Sequence, residues 1–409
     1  MTKPPLPSAI RFLIATLFIN AVCFGIIVPV TPTLVMELGA SDLRHATSIG
    51  GWLAFLYAAF QFICSPIMGN LSDAYGRRPV LLFSLGGFAV EFWLMAIAPS
   101  LFWLFLARIF SGISGASNGP AQSSIADLAT PEDRARLFSM LSAAFGIGFV
   151  IGPAVGGILG ELGARVPFYA AATLVTVNFI YGLLKCEETL KPENRRPFDW
   201  RRANPFGALM QAVRIKGVIG IAAVYFLWQL ASLVYPMIWN YFAMARWGWS
   251  PGLIGASLAL VGLGMAGVNI FISPRLIPRI GERKAAMVGM GMGGIAMIGY
   301  AFTPYGWLAF LLIPLMALQS IAHPSLTAML SRRGTATTQG EMQGFASSTM
   351  ALGSLCAPAL YFPLQSAFTG SQAVIHFDGA AMLAAGVIAL LALALMVTLR
   401  VSAPPSTPA

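Results

Sequence analysis

Gly69-Asn70-Leu71-Ser72-Asp73-Ala74-Tyr75-Gly76-Arg77-Arg78-Pro79 is a short charged island between two long apolar runs. Its two glycines and its proline predict a tight turn. The chain has 409 residues, 57% of them apolar and 10% charged, and so many hydrophobic segments cannot be left in water. The island then sits at a membrane surface, where the chain leaves the bilayer and returns to it. Asp73 can face a helix N-terminus, where its charge meets unpaired amides, while Arg77 and Arg78 stay in the cytosolic headgroup layer.

Composition agrees with this reading. A mean hydropathy of +0.76 with 42 Gly, 19 Met and 28 Phe describes a polytopic α-helical membrane protein and argues against a soluble enzyme. Apolar periodicity predicts twelve helices, near residues 11–36, 46–69, 79–98, 101–124, 136–160, 166–185, 217–244, 251–273, 284–303, 306–330, 342–365 and 378–400. A net charge of +10 in a soluble protein would point to nucleic acid. Here the cations sort by topology. All Lys and Arg except Arg44, Arg165, Arg246 and the intrahelical Arg108 fall on the side of the N-terminus, which places both termini in the cytoplasm and calls for no nucleic-acid partner. Helix 1 is too long for a signal-peptide core and lacks a small-residue cleavage site, so it is kept as a span. Cys23, Cys64, Cys186 and Cys356 fit neither a disulfide framework nor a metal site.

The longest polar segment, residues 186–216, divides the chain into six-helix groups at 1–185 and 217–409. Its stretch Phe198-Asp199-Trp200-Arg201-Arg202 suits either the membrane interface or a solvated linker. The two groups repeat each other. Pro29 pairs with Pro236, Pro120 with Pro324 and Pro153 with Pro358, at offsets of 207, 204 and 205. Gly76 pairs with Gly281 at 205, within a second island from Pro274 to Arg283 where Pro278 replaces the Asp.

The first island resembles, nearly residue for residue, the loop between the second and third helices of major facilitator transporters, G-x-L-S-D-x-x-G-R-R-P. That resemblance implies an all-α membrane protein of the major facilitator fold, with twelve transmembrane helices in two pseudo-symmetric six-helix halves and a substrate cavity between them. It also implies alternating access and, by default, a monomer. Gly69, Asp73, Gly76, Arg77, Arg78 and Asp127 then read as a conformational latch. Asp73 would dock on the N-terminus of helix 11 near Glu341–Phe345, and Arg77 would pair with Asp127. The alternative is that these charges only fix topology.

In helix 5, Gly148, Gly152 and Gly156 recur every fourth residue and form one smooth face for a neighbouring helix. With Pro153 and Gly157 they resemble the G-x-x-x-G-P-x-x-G-G motif of the family's proton-linked drug exporters. Tight packing alone is the other reading.

Few ionisable groups lie within the bilayer, and each is a functional candidate. Glu91 is twelve residues past Pro79, or about 18 Å into a core of about 30 Å. Arg108, seven residues past Leu101, lies about 10 Å below the outer face, at a similar depth. A carboxyl so far from water can take up and release a proton, and a nearby Arg resets it by favouring the ionised form. A fixed Glu91–Arg108 pair is the other reading.

The runs Phe24 to Pro32, Gly69 to Pro79, Phe110 to Gly115, Ser124 to Asp127, Phe145 to Gly157 and Trp247 to Pro251 resemble the tetracycline-type drug/proton antiporters, over nearly the whole chain. The resemblance implies proton-driven export of a planar or amphipathic small molecule. Three departures go with it. Those antiporters carry Asp in helix 1 where this chain has Asn20, His in helix 8 at Gly267, and Asp in helix 9 at Gly293.

Candidate cavity groups are Asn20, Gln61, Asn118, Gln122, Gln229, Gln319 and His323, with Tyr57, Trp228, Tyr235 and Trp239 as aromatic walls. Neutral polar and stacking groups suit a weakly polar ligand, although an amide in a helix equally serves as interhelical glue. There is no nucleophile–base set, metal-ligand cluster, cofactor motif or phosphate loop, so neither an enzyme nor an ATP-driven pump is expected. The partners expected are a small molecule, protons and membrane lipid. A metabolite, sugar or lipid carrier of the same fold is the nearest alternative, followed by a receptor that binds without transport. The short tail after Arg400 carries no signalling domain and favours a transporter.

Overall fold

The computed structural model describes residues 8–116, 118–128, 133–200, 204, 218–331, 339–370, 373 and 375–399. Every regular element among them is helical, and they group into twelve rods. These are α1 (Ser8–Glu37), α2 (Leu43–Tyr75), α3 (Arg77–Ile97), α4 (Leu101–Gly115 and Asn118–Leu128), α5 (Arg134–Glu161) and α6 (Val166–Lys185). They continue as α7 (Val218–Ser232 and Val234–Trp247), α8 (Pro251–Ile280), α9 (Glu282–Phe302), α10 (Gly306–Leu330), α11 (Gln339–Phe368) and α12 (Ala380–Thr398). Ten are long and apolar enough to cross a bilayer. The other two are α4, described as two pieces that end at Gly115 and begin at Asn118, and α11, whose first turns carry Gln339, Glu341 and Gln343 in sequence. Large apolar side chains such as Trp52, Phe102, Ile158 and Leu184 stand exposed. A soluble protein of this size would aggregate through such a surface, and lipid is the solvent it fits.

The charged island differs from its expected form. Helices were expected to stop at residue 69 and restart at 79, whereas α2 continues to Tyr75 and α3 begins at Arg77. Nothing from Asn70 to Tyr75 breaks a helix, and Pro79 lies in the first turn of α3, where its missing N–H costs nothing. The whole reversal therefore falls on Gly76, at φ 108° and ψ 164°, a conformation that a Cβ would strain. Gly281 repeats it at φ 81° and ψ 156° between α8 and α9, so the second island is helical as well. Pro29 and Pro32 convert the middle of α1 into a short 3-10 turn, Val28–Val30, without ending the rod.

The chain falls into two compact units. The first comprises Met1–Pro205 with Trp249–Ala259, and the second Phe206–Gly248 with Leu260–Ala409. The first has a core of Ile10, Phe12, Leu13, Leu81, Leu85, Ile125, Leu137, Leu141 and Cys186 at the end that carries the start of α1. The second is built on Tyr225, Trp228, Met290, Leu326 and the alanine face of α12, including Ala389 and Ala392. Because lipid is as apolar as leucine, close backbone approach rather than hydrophobic burial holds such helices together. A Cβ on Gly386 of α12 would sit 2.5 Å from Ile298 of α9.

Candidate functional site

The charged turn gathers its groups around one guanidinium. Arg77, almost fully buried, donates from Nη1 to Asp73 Oδ1 at 2.6 Å and to Ser72 Oγ at 3.1 Å, and from Nε to Asp127 Oδ2 at 3.1 Å. Asp73 rides the last turn of α2, Arg77 opens α3 and Asp127 ends α4, so three rods meet on this cation. The side chains of Glu341–Phe345, expected to receive Asp73, lie outside the described residues. Among the described residues nothing comes within 4 Å of a Cβ on Gly69.

Sequence reasoning missed the residue that closes the turn. Glu188, just beyond α6, accepts hydrogen bonds from the backbone N–H of Arg77 at 2.9 Å and of Arg78 at 3.2 Å. A carboxylate at the first amides of α3 satisfies orphan donors and complements the helix dipole. Arg78 itself reaches the Leu183 carbonyl from Nη2 at 3.3 Å. The available signal was the pair Glu187-Glu188 following helix 6, which reads by composition as a solvated linker.

Deeper in the same unit, Glu91 of α3 and Arg108 of α4 form an ion pair at 3.2 Å, with side chains 2% and 9% exposed. Ser111 hydrogen-bonds the carboxyl, and Arg108 Nη2 also contacts Met95 Sδ at 3.3 Å. Beside them, Gln61 Nε2 donates to the Gly115 carbonyl at 3.3 Å, and the Tyr57 hydroxyl stands where a Cβ on Gly115 would be 3.2 Å away. A carboxyl held here beside Arg108 changes the net charge of a buried site each time it binds or loses a proton.

The glycines of α5 are used on two sides. A Cβ on Gly148 would lie 2.7 Å from the Phe18 carbonyl, one on Gly152 2.6 Å from that of Val22, and one on Gly156 2.6 Å from the Ile26 carbonyl carbon. Pro153 presses against Gly25 of α1 from the same side. Gly157 instead meets the amino end of α8, 2.7 Å from the Pro251 carbonyl, and Glu161 accepts a hydrogen bond from the Gly252 N–H at 2.8 Å.

The expected cavity groups fall in several environments. Asn20 borders a narrow cleft of about 20 Å³, room for a water molecule, with Thr16, Ser84 and Phe88. Its Oδ1 is buried with no partner among the described residues. Gln229 packs against Gly353 of α11. Gln319 is buried beside Gly293, donating to Met316 Sδ at 3.2 Å. His323 Nδ1 lies 3.2 Å from the Tyr225 hydroxyl. The side chains of Asn118 and Gln122 lie outside the described residues. Tyr235 and Trp239 are enclosed in an aromatic cluster, Trp239 being 4.6 Å from Tyr235 and 4.8 Å from Tyr300 by ring centroids. Trp228 is equally buried, its ring filling the space beside Gly293. These three rings are core packing, because a ring at 1–5% exposure leaves no face for a ligand.

The sequence model of the Major Facilitator Superfamily matches residues 13–238, more than half of the chain. The chain belongs to the Major Facilitator Superfamily. Among proteins similar to it, the class C tetracycline resistance protein of Escherichia coli is 38% identical over 360 residues, 88% of this chain and 90% of that protein. The class G tetracycline resistance protein of Vibrio anguillarum is 36% identical over 86% of this chain and 89% of its own length. The human organic anion transporter MFSD10 (TETRAN) superposes with a TM-score of 0.72, covering 96% of this chain and all of that one, at 21% identity. That superposition speaks for the fold alone. This superfamily member is a multi-pass membrane transporter, and proton-linked drug efflux is the function that its sequence kinship supports.

Proposed function

We propose that this member of the Major Facilitator Superfamily exports small amphipathic, drug-like molecules by alternating access, with Glu91 carrying the coupling proton. The buried Glu91–Arg108 pair carries the proposal. When Glu91 is ionised the pair is neutral overall. When it is protonated Arg108 is left as an isolated cation away from water, a state costly enough to drive a change of conformation. Arg77, Asp73 and Asp127 at the cytosolic end serve as the latch, with Arg78, Gly69 and Gly76 in the same turn.

The cargo class follows from what the site lacks. Asn20, Gly267 and Gly293 replace titratable groups of the tetracycline-type antiporters, and at Gly293 the replacement is enforced by packing. A Cβ there would stand 2.7 Å from the Trp228 ring and 3.0 Å from Gln319 Cβ. The proposed cargo is therefore a neutral or weakly charged amphipathic molecule, read by Asn20, Gln61, Gln229, Gln319 and His323. The protein acts as a monomer in the bacterial cytoplasmic membrane with both termini in the cytoplasm, and residues 1–185 and 217–409 move as its two halves.

The test is proton movement in proteoliposomes on adding lipophilic cations, tetracyclines, other antibiotics and metabolites, comparing wild type with Glu91→Gln. Proton release driven by a compound through wild type alone supports antiport through Glu91. Unchanged transport in Glu91→Gln makes the pair structural and leaves an uncoupled carrier of metabolites, sugars or lipids.

A further inference from the structure

The segment after α6 does not simply lead away from the first unit. It turns back and crosses the charged turn, touching both sides of Gly76. On the α3 side, the Glu188 carboxylate takes the N–H groups of Arg77 and Arg78, and also that of Leu190 at 2.9 Å. On the α2 side, the Arg196 N–H donates to the Asp73 carbonyl at 3.0 Å, and Asn70 Nδ2 donates to the Asp199 carbonyl at 2.5 Å. Gly76 lies under the strap, and a Cβ at that position would run into Glu188. Ser8 Oγ, at the start of α1, donates to Glu187 at 2.9 Å, an exposed bond that touches neither side of Gly76.

We infer that Glu188 is a positioning residue of the latch: it fastens the segment 187–199 as a strap over Gly76 and so holds Arg77 where it reaches both Asp73 and Asp127. The inference rests on the reading of that turn as a latch. Both halves of the hinge are tied to one short piece of chain. Asp73 is held twice, its carboxylate by Arg77 and its carbonyl by the strap. The angle between α2 and α3 cannot change, nor Asp73 separate from Arg77, until Glu188 lets go of the α3 amides. The latch charges and the strap then release together. Glu188 meets Arg77 through backbone whereas Asp127 meets it through the guanidinium, and Arg195 of the strap also brings its guanidinium beside Gly76.

The test uses the full-length protein in nanodiscs, with Glu188→Ala, Glu188→Gln and, as a control of equal charge change, Glu187→Ala. Amide exchange at Arg77, Arg78 and Leu190 should quicken about tenfold in Glu188→Ala, the size of effect that loss of an N-terminal cap gives. Tryptic cleavage between Arg195 and Arg196 should quicken with it, and Glu188→Gln should fall between, because it keeps an acceptor without the charge. Glu187→Ala should leave all three amides as they are. A double-mutant cycle of Glu188→Ala with Asp127→Ala, read as unfolding midpoints, should be non-additive. Unchanged exchange and cleavage in Glu188→Ala, or an additive cycle, overturns the inference.

Transport supplies the separate readout. For any compound that moves protons through wild type, Glu188→Ala should change kcat several-fold while KM stays the same. A freed strap with unaltered kcat leaves Glu188 purely structural and overturns its positioning role. If wild type moves no protons with any compound, the proposed function fails, and the exchange rates and the cycle still decide whether Glu188 positions Arg77.

Discussion

The two charged turns share a backbone and an arginine, Arg78 or Arg283, that donates to main-chain carbonyls at the end of a neighbouring helix, and they differ in the other charges around the glycine. Gly76 and Gly281, 205 residues apart, are single-residue hinges of positive φ, each ending one long helix and starting the next. Around Gly76 lie Asp73, Arg77, Asp127 and the Glu188 strap. Around Gly281 no described residue approaches within 4 Å of a Cβ, and two of the cations, Arg275 and Arg283, bind main chain. Arg275 reaches the Phe271 carbonyl at 2.6 Å, and Arg283 reaches those of Met396, Val397 and Leu399 at the end of α12. Cations at a helix C-terminus complement its dipole and are content to stay there. The duplicated fold therefore demands the glycine at both turns, whereas the Asp73–Arg77–Asp127 cluster is described at the first turn. The same asymmetry runs deeper. At an offset of 205, Glu91 corresponds to Ala296 and Arg108 to Ile313.

The largest effect expected from this asymmetry is at the buried pair. Arg108→Ala leaves Glu91 in a water-free site without its cation, a cost of about 3–5 kcal/mol. Thermal unfolding in detergent should show it as the most damaging single change in the first unit, and Arg108→Gln combined with Glu91→Gln should recover most of the stability without recovering proton movement. An Arg108→Ala loss below roughly 1 kcal/mol would mean that Glu91 is solvated and that the two units are alike in depth as well as in backbone.

Second comes the attempt to make the second unit charged. Gly293→Asp must displace the Trp228 ring and bury an acid among apolar groups, for roughly 2–4 kcal/mol. Gly267→Asp, with nothing within 4 Å of its Cβ, should cost well under half as much. Equal losses would show that packing does not enforce the neutrality at Gly293.

The hinges themselves give the third contrast. Ala at either glycine meets the positive-φ penalty of about 1–2 kcal/mol. Gly76→Ala should lose about 1 kcal/mol more than Gly281→Ala, because its Cβ also expels the Glu188 cap. In a Glu188→Ala background the two should become equal, and a persistent difference would remove the strap as its cause.

Much of this was legible in sequence. The twelve rods follow from apolar runs, and the meeting of Glu91 with Arg108 from counting 1.5 Å per residue down one helix and up the next. The Arg77–Asp127 contact followed from the family motif and the cytosolic end of helix 4. Glu188 was not legible, because a carboxylate in an irregular polar segment carries no periodicity to say which amides it will meet. Trp228, Tyr235 and Trp239 were legible only as large rings in apolar helices, a pattern that a ligand wall and a packed core share. The ends of α2 and α8 were placed short because the glycines and prolines of each charged island were read as a turn several residues long. At these two turns the backbone leaves the helix only at the residue where glycine permits positive φ, Gly76 and Gly281.

The smallest effect tests the core beneath the strap. Cys186, just past α6 and 5% exposed, has its thiol pushed up to about 11 by burial, with the carboxylates of Glu188 and Glu187 adding to the shift and Arg78 opposing it. The sign is plain: burial favours the neutral thiol, and the reactive thiolate gains only as pH rises toward that value. At pH 7.5 its alkylation by a small maleimide, followed on the Cys186 peptide by mass spectrometry, should be about a hundredfold slower than that of an open thiol. Between pH 7.5 and 9.5 the rate should climb about tenfold per pH unit without levelling. A plateau near pH 8.5 would mean that the end of α6 is open to water, and that the core around Ile10, Leu81 and Leu137 does not reach as far as the strap it supports.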